Sequence, residues 1–352
     1  MLGPVLAAYG LDDSKCSITP FGNGLINHTW KIISADGEFL LQKINQQVFR
    51  KPEDILDNCR MLSKYFKANY PDYLFIAPLQ TTTGMNFVLS ADQYFRLFPF
   101  VTGSYSRDEA DRPGLAFEAS KQFARFTRLL SGFDPRQLHI TLPDFHNLTL
   151  RFKQFDAALI NGNKKRISDS KESISFLKEQ ESIVRIFEEI KKNPSFSIRV
   201  IHHDSKINNV LFDRNNERGL CIIDLDTIMP GYYISDVGDM LRTYISPAGE
   251  EESDFNKIEV REEYFNEIVA GYLGELESGL SKEELKYFIY AGKFAIYMQA
   301  LRFLTDFISD DTYYSIQYES QNLIRAGNQI VLLKKFMEKE KRLNELLNRF
   351  LS

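Results

Sequence analysis

The order of apolar and polar positions divides the chain into a strand-rich first part and a helix-rich remainder. In the first part, WKIIS and EFLLQKI flank the turn ADG at 35–37, and Asp-Gly between two apolar runs predicts a β-hairpin. A helix with apolar residues at helical spacing is predicted over 52–69. Further strands are predicted over 75–79, over 86–89 and in YFRLFPFV. The first part is therefore expected to be an antiparallel sheet that carries one helix.

The remainder of the chain has the apolar period of helices. Helices are predicted over 113–132, 148–160, 172–192 and most of 260–350. The polar stretch 161–173 is predicted to be a mobile connection. Short β-rich segments, SIRVIHH, NVLFD and GLCIIDLD, interrupt the helices. The pattern thus predicts an α+β protein with a small N-terminal lobe (1–105) and a larger, mainly helical C-terminal lobe (106–352).

Composition and charge exclude several classes of protein. The chain has 352 residues, is 43% hydrophobic and has a formal net charge of -5, which gives no electrostatic reason to bind nucleic acid or an anionic membrane. No run of about 18 apolar residues predicts a transmembrane helix, and no basic region precedes the apolar stretch at the start. The three cysteines are far apart in sequence, which indicates reduced thiols. A cytoplasmic protein is therefore expected.

The densest polar cluster is HHDSKINN at 202–209, between two predicted strands. Asp224 ends the next apolar strand, twenty positions after Asp204. Phosphoryl transfer needs a carboxylate that accepts the proton of the attacking hydroxyl and oxygen ligands that hold Mg²⁺. Asp204 suits the role of the base, and Asn209 and Asp224 suit that of metal ligands. The sequence therefore predicts a kinase site.

The spacing H-x-D-x-x-x-x-N from His202 to Asn209 is that of a kinase catalytic loop. A solvated polar loop between two strands is the plain alternative for this segment. Asp226 follows Asp224 by two positions and points to the same face if the strand continues. Asp226 is therefore predicted either to bind the metal as well or to cap the turn.

The first lobe contains candidate residues for binding a nucleotide. Gly22 and Gly24 lie in the connection FGNGLIN, where glycines allow the backbone to approach phosphates closely; a plain hairpin turn is the alternative. Lys43, on the strand after the hairpin, is predicted to reach the phosphates, or else to be a surface lysine. Gln42 replaces it if the register of the strand is shifted by one residue.

With these residues in view, the chain resembles a known family. The segments IHHDSKINNVLFD and IIDLDTIMPGYYISDVGDMLRT are similar to those of the aminoglycoside phosphotransferase and choline kinase superfamily. DLDTIMPG and ALRFLTDF resemble more narrowly the N-acetylhexosamine 1-kinases. FLLQKIN and LPDFHNLTLRF are also similar to segments of that group, so the resemblance spans most of the chain.

This resemblance implies a protein-kinase-like two-lobed fold that uses ATP and Mg²⁺. It implies that adenine lies near the strand of Arg96 and Phe98. Many relatives have glycine directly before the base, where this chain has His203. The residues expected to contact the acceptor are His203, Arg302, Phe145 and His146. For Arg302, an ion pair with Asp306 is the structural alternative.

The predicted activity is the phosphorylation of a small-molecule hydroxyl, specifically the anomeric hydroxyl of N-acetylglucosamine or N-acetylgalactosamine. Within the kinases, the alternatives are another sugar, choline, homoserine or an aminoglycoside. A catalytically silent pseudokinase is the alternative outside enzymology, although Asp204, Asn209 and Asp224 are all present. A metal-dependent phosphohydrolase, suggested by the doublet His203-Asp204, requires further His and Asp ligands on helices that the sequence does not offer.

Overall fold

A computed structural model describes residues 2–22 and 26–352. These residues form two compact units. Unit 1 consists of Met1–Tyr105, Phe133–Pro143 and Leu211–Pro230, and unit 2 consists of Ser106–Gly132, Asp144–Val210 and Gly231–Ser352. The segments 133–143 and 211–230 belong to unit 1 although they follow residue 105. The predicted division into lobes at residue 105 stays a prediction.

The strands are β1 (Ser17–Pro20), β2 (His28–Ser34), β3 (Gly37–Lys43), β4 (Val88–Ser90), β5 (Gln93–Pro99), β6 (Ser104–Tyr105), β7 (Arg199–Ile201), β8 (Val210–Asp213), β9 (Gly219–Ile222) and β10 (Met229–Gly231). The helices are α1 (Gly3–Ala8), α2 (Pro52–Asn69), α3 (Pro113–Leu129), α4 (Leu148–Asn161), α5 (Lys164–Asp169), α6 (Lys171–Glu179), α7 (Ser182–Lys192), α8 (Ile234–Thr243), α9 (Glu262–Leu276), α10 (Lys282–Leu285), α11 (Phe288–Ile308), α12 (Gln321–Glu338) and α13 (Glu340–Leu351).

Unit 1 is built on a five-stranded antiparallel sheet with the strand order β1-β2-β3-β5-β4. The predicted hairpin is present, with Ser34 opposite Gly37 at its turn. Alternate residues of the sheet are buried in a cluster with the first helix: Val5, Leu6, Leu11, Ile32, Leu41, Phe95 and Leu97. Because side chains alternate across a strand, Gln42 lies on the opposite face of β3 from Leu41 and Lys43.

The segment that contains Asp224 is attached to α2 within unit 1. The side-chain amide of Asn58, on α2, donates to the backbone oxygens of His139 at 3.0 Å and of Ile228 at 3.1 Å, and its Oδ1 accepts the N–H of His139 at 2.8 Å. Asn58 is buried, so its polar atoms need these partners. This amide thereby joins the segment that follows the candidate metal residues to the one around His139.

Unit 2 is mainly helical, and its central element is α11. Nearly all side chains of α11 are buried, and α4, α8 and α12 pack against it, while α3 packs along α9. A Cβ atom on Gly238, in α8, would lie 2.4 Å from the backbone oxygen of Ala291 in α11. Glycine therefore allows the close approach of these two helices, which fixes α8 and the acidic residue at its start.

Three sequence predictions of local structure are wrong. The residues 75–79 are extended but form no strand; the Leu79 amide makes one hydrogen bond to Leu97, at 2.7 Å. The predicted helix 172–192 is two helices, α6 and α7, separated at Gln180 and Glu181. The supposed connection 161–173 also contains α5, whose first amides are capped by the side chain of Asn163.

The structure confirms the predicted fold class. An antiparallel sheet dominates the N-terminal part and helices dominate the C-terminal part, and α2 has the predicted bounds of Pro52 and Asn69. Within 2–22 and 26–352, no helix is long and apolar enough to cross a membrane.

Candidate functional site

The loop after β7 brings Asp204 and Asn209 together in unit 2. A short 3-10 helix, Ile207–Asn209, turns the chain back toward Asp204. The side-chain nitrogen of Asn209 donates to Oδ2 of Asp204 at 3.0 Å and to its backbone oxygen at 2.8 Å. Because the nitrogen is used in this way, Oδ1 of Asn209 is the atom that can coordinate a cation. The pair therefore has the geometry expected of a base and a neighbouring metal ligand.

Asp236, at the start of α8, holds the backbone of this loop. Its carboxylate accepts the backbone N–H groups of His202 at 3.1 Å and of His203 at 2.7 Å, and its backbone oxygen accepts the hydroxyl of Ser205 at 2.7 Å. Burial raises the pKa of Asp236 to about 7; the two backbone N–H bonds oppose this shift and the neighbouring Asp239 and Asp204 add to it. The sequence reasoning missed this residue, although an Asp in SDVGD, soon after the candidate metal residues, was a visible signal.

His202 has a bracing role in the same loop. Its side chain is fully buried and packs edge-on against Phe123. Nδ1 of His202 accepts the backbone N–H of Asp204 at 3.3 Å. The imidazole therefore orients the backbone of Asp204.

The environment of Asp204 keeps it ionised. Burial acts to raise its pKa, but the charge of Lys206, the adjacent imidazole of His202, the hydrogen bond from Asn209 and the charge of Arg242 outweigh burial and hold the pKa below its usual value. The ammonium of Lys206 lies 3.7 Å from Oδ1 of Asp204. At neutral pH the side chain is therefore a carboxylate, as a base requires.

His203 connects Asp204 to a row of aromatic side chains. Nδ1 of His203 lies 3.3 Å from Nδ1 of His146, and the ring of His146 stacks on Phe145 with ring centroids 4.6 Å apart. His203 has a φ of +68°, a left-handed conformation that non-glycine residues adopt uncommonly and histidine more readily than most. A Cβ on Gly231 would lie 2.4 Å from Cε1 of His203, so the absence of a side chain at Gly231 leaves space for this ring.

Arg302, on α11, lies among aromatic rings in unit 2. Its guanidinium carbon lies 5.4–5.7 Å from the ring centroids of Phe145, Tyr313 and Tyr314, within the range of cation–π attraction. Its hydrogen bond to Gln299 is long, at 3.3 Å. Across the described parts of the chain, no carboxylate forms an ion pair with it.

Asp306, which the sequence offered as an ion-pair partner of Arg302, has a different role. It is buried, and its carboxylate accepts the backbone N–H groups of Tyr313 at 2.8 Å and Tyr314 at 2.9 Å and the amide of Asn322 at 3.0 Å. The alternative of an ion pair with Arg302 is therefore wrong. Asp306 instead fixes the two tyrosines whose rings surround the guanidinium.

The region around Arg302 carries positive charge. Burial, together with the charges of His203, Arg302, Arg242 and Arg151, holds the pKa of His146 well below its usual value, so His146 is neutral at pH 7. Burial and the nearby Arg302 also lower the pKa of Arg151. Two arginines and a neutral imidazole therefore meet along the row of aromatic side chains.

In unit 1, Asp224 and Asp226 have different environments. Asp224 follows β9 in a left-handed conformation, with φ of +57°, and is exposed, whereas Asp226 is buried. Oδ1 of Asp226 lies 2.6 Å from the guanidinium of Arg96, and Oδ2 accepts the side-chain N–H of Asn27 at 2.8 Å. Both oxygens of Asp226 thus have protein partners. The exposed carboxylate of Asp224 and, within unit 2, Oδ1 of Asn209 are each a hard oxygen donor of the kind that Mg²⁺ prefers; their binding of this ion stays a prediction.

The predicted nucleotide residues divide between the two faces of the sheet. The guanidinium of Arg96 donates to Oε1 of Gln42 at 2.7 and 3.1 Å and lies 5.0 Å from the centroid of the half-buried Phe98 ring, which places these three side chains on one face. Lys43 lies on the other face, and its proposed contact with phosphates stays a prediction. Arg96 is buried and its nitrogens are bound, so a direct contact with nucleotide is not its role in this conformation.

The glycine-containing connection is only partly described. Gly22 has a φ of +76°, and a Cβ added to it would meet no atom of the described residues within 4 Å, so its conformation favours glycine. Gly24 lies outside the described residues. Contacts of either glycine with phosphate stay predictions.

Solved structures of several small-molecule kinases share this fold. A microcompartment-associated aminopropanol kinase is 18% identical, with a TM-score of 0.65 over 95% of this chain and 96% of that one. A spectinomycin phosphotransferase in complex with ADP and spectinomycin is 13% identical, with a TM-score of 0.60 over 95% and 96%. Choline kinase from Cryptosporidium parvum is 17% identical, with a TM-score of 0.56 over 95% and 92%. The fold is therefore the protein-kinase-like one that the sequence predicted.

The chain belongs to the phosphotransferase enzyme family, whose profile matches residues 17–276. The predicted membership of the aminoglycoside phosphotransferase and choline kinase superfamily is thereby confirmed. The narrower resemblance to N-acetylhexosamine 1-kinases stays a prediction.

Proposed function

We propose that the protein is an ATP- and Mg²⁺-dependent kinase that phosphorylates the anomeric hydroxyl of an N-acetylhexosamine. Family membership supports phosphoryl transfer, and the acceptor is argued from the residues of this chain. The observation that carries the proposal is Arg302, a guanidinium among three aromatic rings with no carboxylate paired to it in the described structure.

Asp204 acts as the base in this proposal. Its lowered pKa keeps it ionised, and the hydrogen bond from Asn209 holds its Oδ2 in one orientation. The carboxylate orients the acceptor hydroxyl and takes its proton as the phosphoryl group is transferred. Catalysis then depends mainly on positioning, since phosphoryl transfer requires little covalent chemistry from the protein.

The nucleotide is proposed to be ATP with Mg²⁺, held by Oδ1 of Asn209 and the carboxylate of Asp224. Bound Mg²⁺ would neutralise charge that develops on the phosphates. A structural neighbour binds ADP, which supports the use of a nucleotide. Phe98, half-buried beside Arg96, offers an aromatic face for adenine.

The charges in unit 2 favour a neutral acceptor over a cationic one. Choline, aminopropanol and aminoglycosides carry ammonium groups, which need carboxylates or electron-rich aromatic faces that no guanidinium already occupies. Here Arg302 occupies the aromatic faces, Arg151 adds a second charge and His146 is neutral. Guanidinium N–H groups suit sugar hydroxyls and an acetamido carbonyl, and the rings suit the apolar face of a sugar.

The test is a screen of ADP release with candidate acceptors. The set contains N-acetylglucosamine, N-acetylgalactosamine, glucose, galactose, choline, homoserine and kanamycin, each with and without Mg²⁺. We expect the N-acetylhexosamines to give the highest kcat/KM, and ³¹P NMR to identify a sugar 1-phosphate. Asp204→Asn is the inactive control.

Two outcomes would contradict the proposal in different ways. A higher kcat/KM for choline or kanamycin would overturn the argument from charge but keep the kinase. ADP release that no acceptor stimulates, in protein that binds ADP, would favour the pseudokinase.

A further inference from the structure

Arg96 and Asp226 form a buried ion pair in unit 1. Nη1 of Arg96 lies 2.6 Å from Oδ1 of Asp226, and both side chains are about 2% exposed. The remaining guanidinium nitrogens, Nε and Nη2, donate to Oε1 of Gln42. The guanidinium therefore has a fixed orientation, set by two strands of the sheet.

Asp226 links this pair to three other segments. Its Oδ2 accepts the amide of Asn27, whose own Oδ1 accepts the backbone N–H of Asn45 at 2.9 Å. The backbone oxygen of Asp226 accepts the hydroxyl of Thr141 at 2.7 Å. The residue two positions after Asp224 is thus held at its carboxylate and at its backbone.

Asp226 is only two residues after Asp224, so the hydrogen bonds that hold Asp226 also affect Asp224. A 3-10 helix, Leu225–Thr227, begins directly after Asp224, whose φ of +57° is in the left-handed region, which non-glycine residues adopt uncommonly and aspartate more readily than most. Such a conformation persists only when its surroundings determine it. The anchors at Asp226 lie on the first turn after Asp224, where they restrict the backbone that carries its carboxylate.

Stability alone does not account for the ion pair. Burying two charges removes their hydration, and well-packed apolar residues of similar size are often as stabilising as a buried pair. The ion pair and its hydrogen bonds fix the relative orientation of four side chains: Arg96, Gln42, Asp226 and Asn27. Apolar side chains in their place would not impose one orientation.

We propose that Arg96 is a positioning residue that acts through Asp226 to hold Asp224 in the orientation that binds Mg²⁺ with the nucleotide. The inference rests on the proposed function, in which Asp224 is a metal ligand. Arg96 itself contacts neither metal nor nucleotide. Its loss therefore weakens the Mg²⁺-dependent part of nucleotide binding and leaves the Mg²⁺-independent part unchanged.

The test measures ADP affinity by calorimetry with and without Mg²⁺, together with the Tm. The variants are Arg96→Met, which leaves the carboxylate of Asp226 in place, and the double variant Arg96→Met/Asp226→Leu, which removes both charges. We expect Arg96→Met to lower the Tm by several degrees and the double variant to recover most of that loss. In both variants the gain in ADP affinity on adding Mg²⁺ should fall at least tenfold.

Control variants separate the explanations. Arg199→Met breaks another ion pair, which the half-buried Arg199 forms with the buried Glu284 at 2.5 Å in unit 2, and is expected to lower the Tm without changing the Mg²⁺-dependent gain. A double variant that keeps the wild-type gain would overturn the positioning role, because stability and metal binding would then be independent of the pair. Arg96→Met could lose the Mg²⁺-dependent gain in ADP affinity while the double variant recovers both this gain and the Tm. The loss would then come from reduced stability, and the inference would also be wrong.

Asp224→Ala, which removes the oxygen donors, distinguishes this inference from the proposed function. If it retains the full Mg²⁺-dependent gain, Asp224 is not a metal ligand, and the metal assignment and the inference fail together. If Asp224→Ala loses the gain and both Arg96 variants keep it, only the inference fails.

Discussion

Asp236 accepts the backbone N–H of His203 at 2.7 Å, immediately before the candidate base. The same carboxylate accepts the backbone N–H of His202 at 3.1 Å. Because Asp236 lies on α8, which packs closely on α11 at Gly238, the orientation of the loop depends on helix packing. The carboxylate of Asp204 is thereby attached to the core of unit 2.

The first prediction concerns the stability of this arrangement against pH. The pKa of Asp236 is raised to about 7 in the folded protein, above that of a carboxyl in the unfolded chain. The folded state therefore binds the proton more tightly between about pH 4 and pH 7. The contribution of Asp236 to stability is complete below pH 4 and is lost as the pH rises through 7, with an upper limit of about 4 kcal/mol.

Urea denaturation at pH 5, 6, 7 and 8 measures this effect. We expect the wild type to lose free energy of unfolding over this range and Asp236→Asn, which cannot titrate, to have a flatter profile. Asp134→Asn is a control, since that carboxyl is at the surface and its pKa is lowered by Arg136. Parallel profiles for the wild type and Asp236→Asn would contradict the raised pKa.

The second prediction concerns the base. Asp204→Asn keeps an oxygen that can accept the amide of Asn209, so we expect the fold, the Tm and ADP binding to be unchanged. It cannot accept a proton, and kcat should fall by about 10²- to 10⁴-fold, the usual contribution of a general base. Steady-state kinetics with the preferred acceptor measures this, and turnover within a few-fold of wild type would exclude the assignment.

The sequence predicted local elements well where the signals were local. The turn 35–37 and the bounds of α2 follow from Asp-Gly and from Pro52 with a regular apolar stripe. Prediction from the sequence failed where the local structure depends on residues that are distant in the chain. The apolar segment 75–79 has strand composition, but its hydrogen bond to Leu97 is a single one. The break between α6 and α7 has no Gly or Pro to mark it.

The candidate site could be predicted from the sequence only in part, because some of its contacts join residues that are distant in sequence. Asp204 and Asn209 lie five residues apart, so their contact follows from one loop. The face of Gln42 and its bond to Arg96 depend on the register between β3 and β5. The burial of Asp226 depends on Arg96 and Asn27, which are distant in sequence. The spacing of residues along the sequence does not predict contacts between residues so far apart.

The third prediction concerns Arg302. Replacing it with Leu removes the proposed donors to the acceptor, and a hydrogen bond from a charged group contributes about 1.5–3 kcal/mol. We expect kcat/KM for the N-acetylhexosamine to fall about 10- to 100-fold, mainly through KM, with ADP affinity unchanged. Arg128→Leu, which breaks an exposed pair with Glu275, is the matched control. An equal loss in ADP affinity would indicate a structural role instead.

The fourth prediction concerns the space between Gly231 and His203. A Cβ at Gly231 would lie 2.4 Å from Cε1 and 2.6 Å from Nε2 of the His203 ring, closer than van der Waals contact permits. Gly231→Ala should therefore destabilise the protein by about 1–3 kcal/mol, the usual cost of overpacking. His203→Gly removes the ring and the strain of its positive φ.

In the double variant Gly231→Ala/His203→Gly, the alanine meets no ring, so its cost should largely disappear. A double-mutant cycle of unfolding free energies measures this coupling, which we expect to exceed about 1 kcal/mol. Additive effects would show that the ring moves aside without cost. Because His203 also contacts His146, His203→Gly is further expected to raise KM for the acceptor while ADP affinity stays constant, which separates its place at the acceptor from its packing against Gly231.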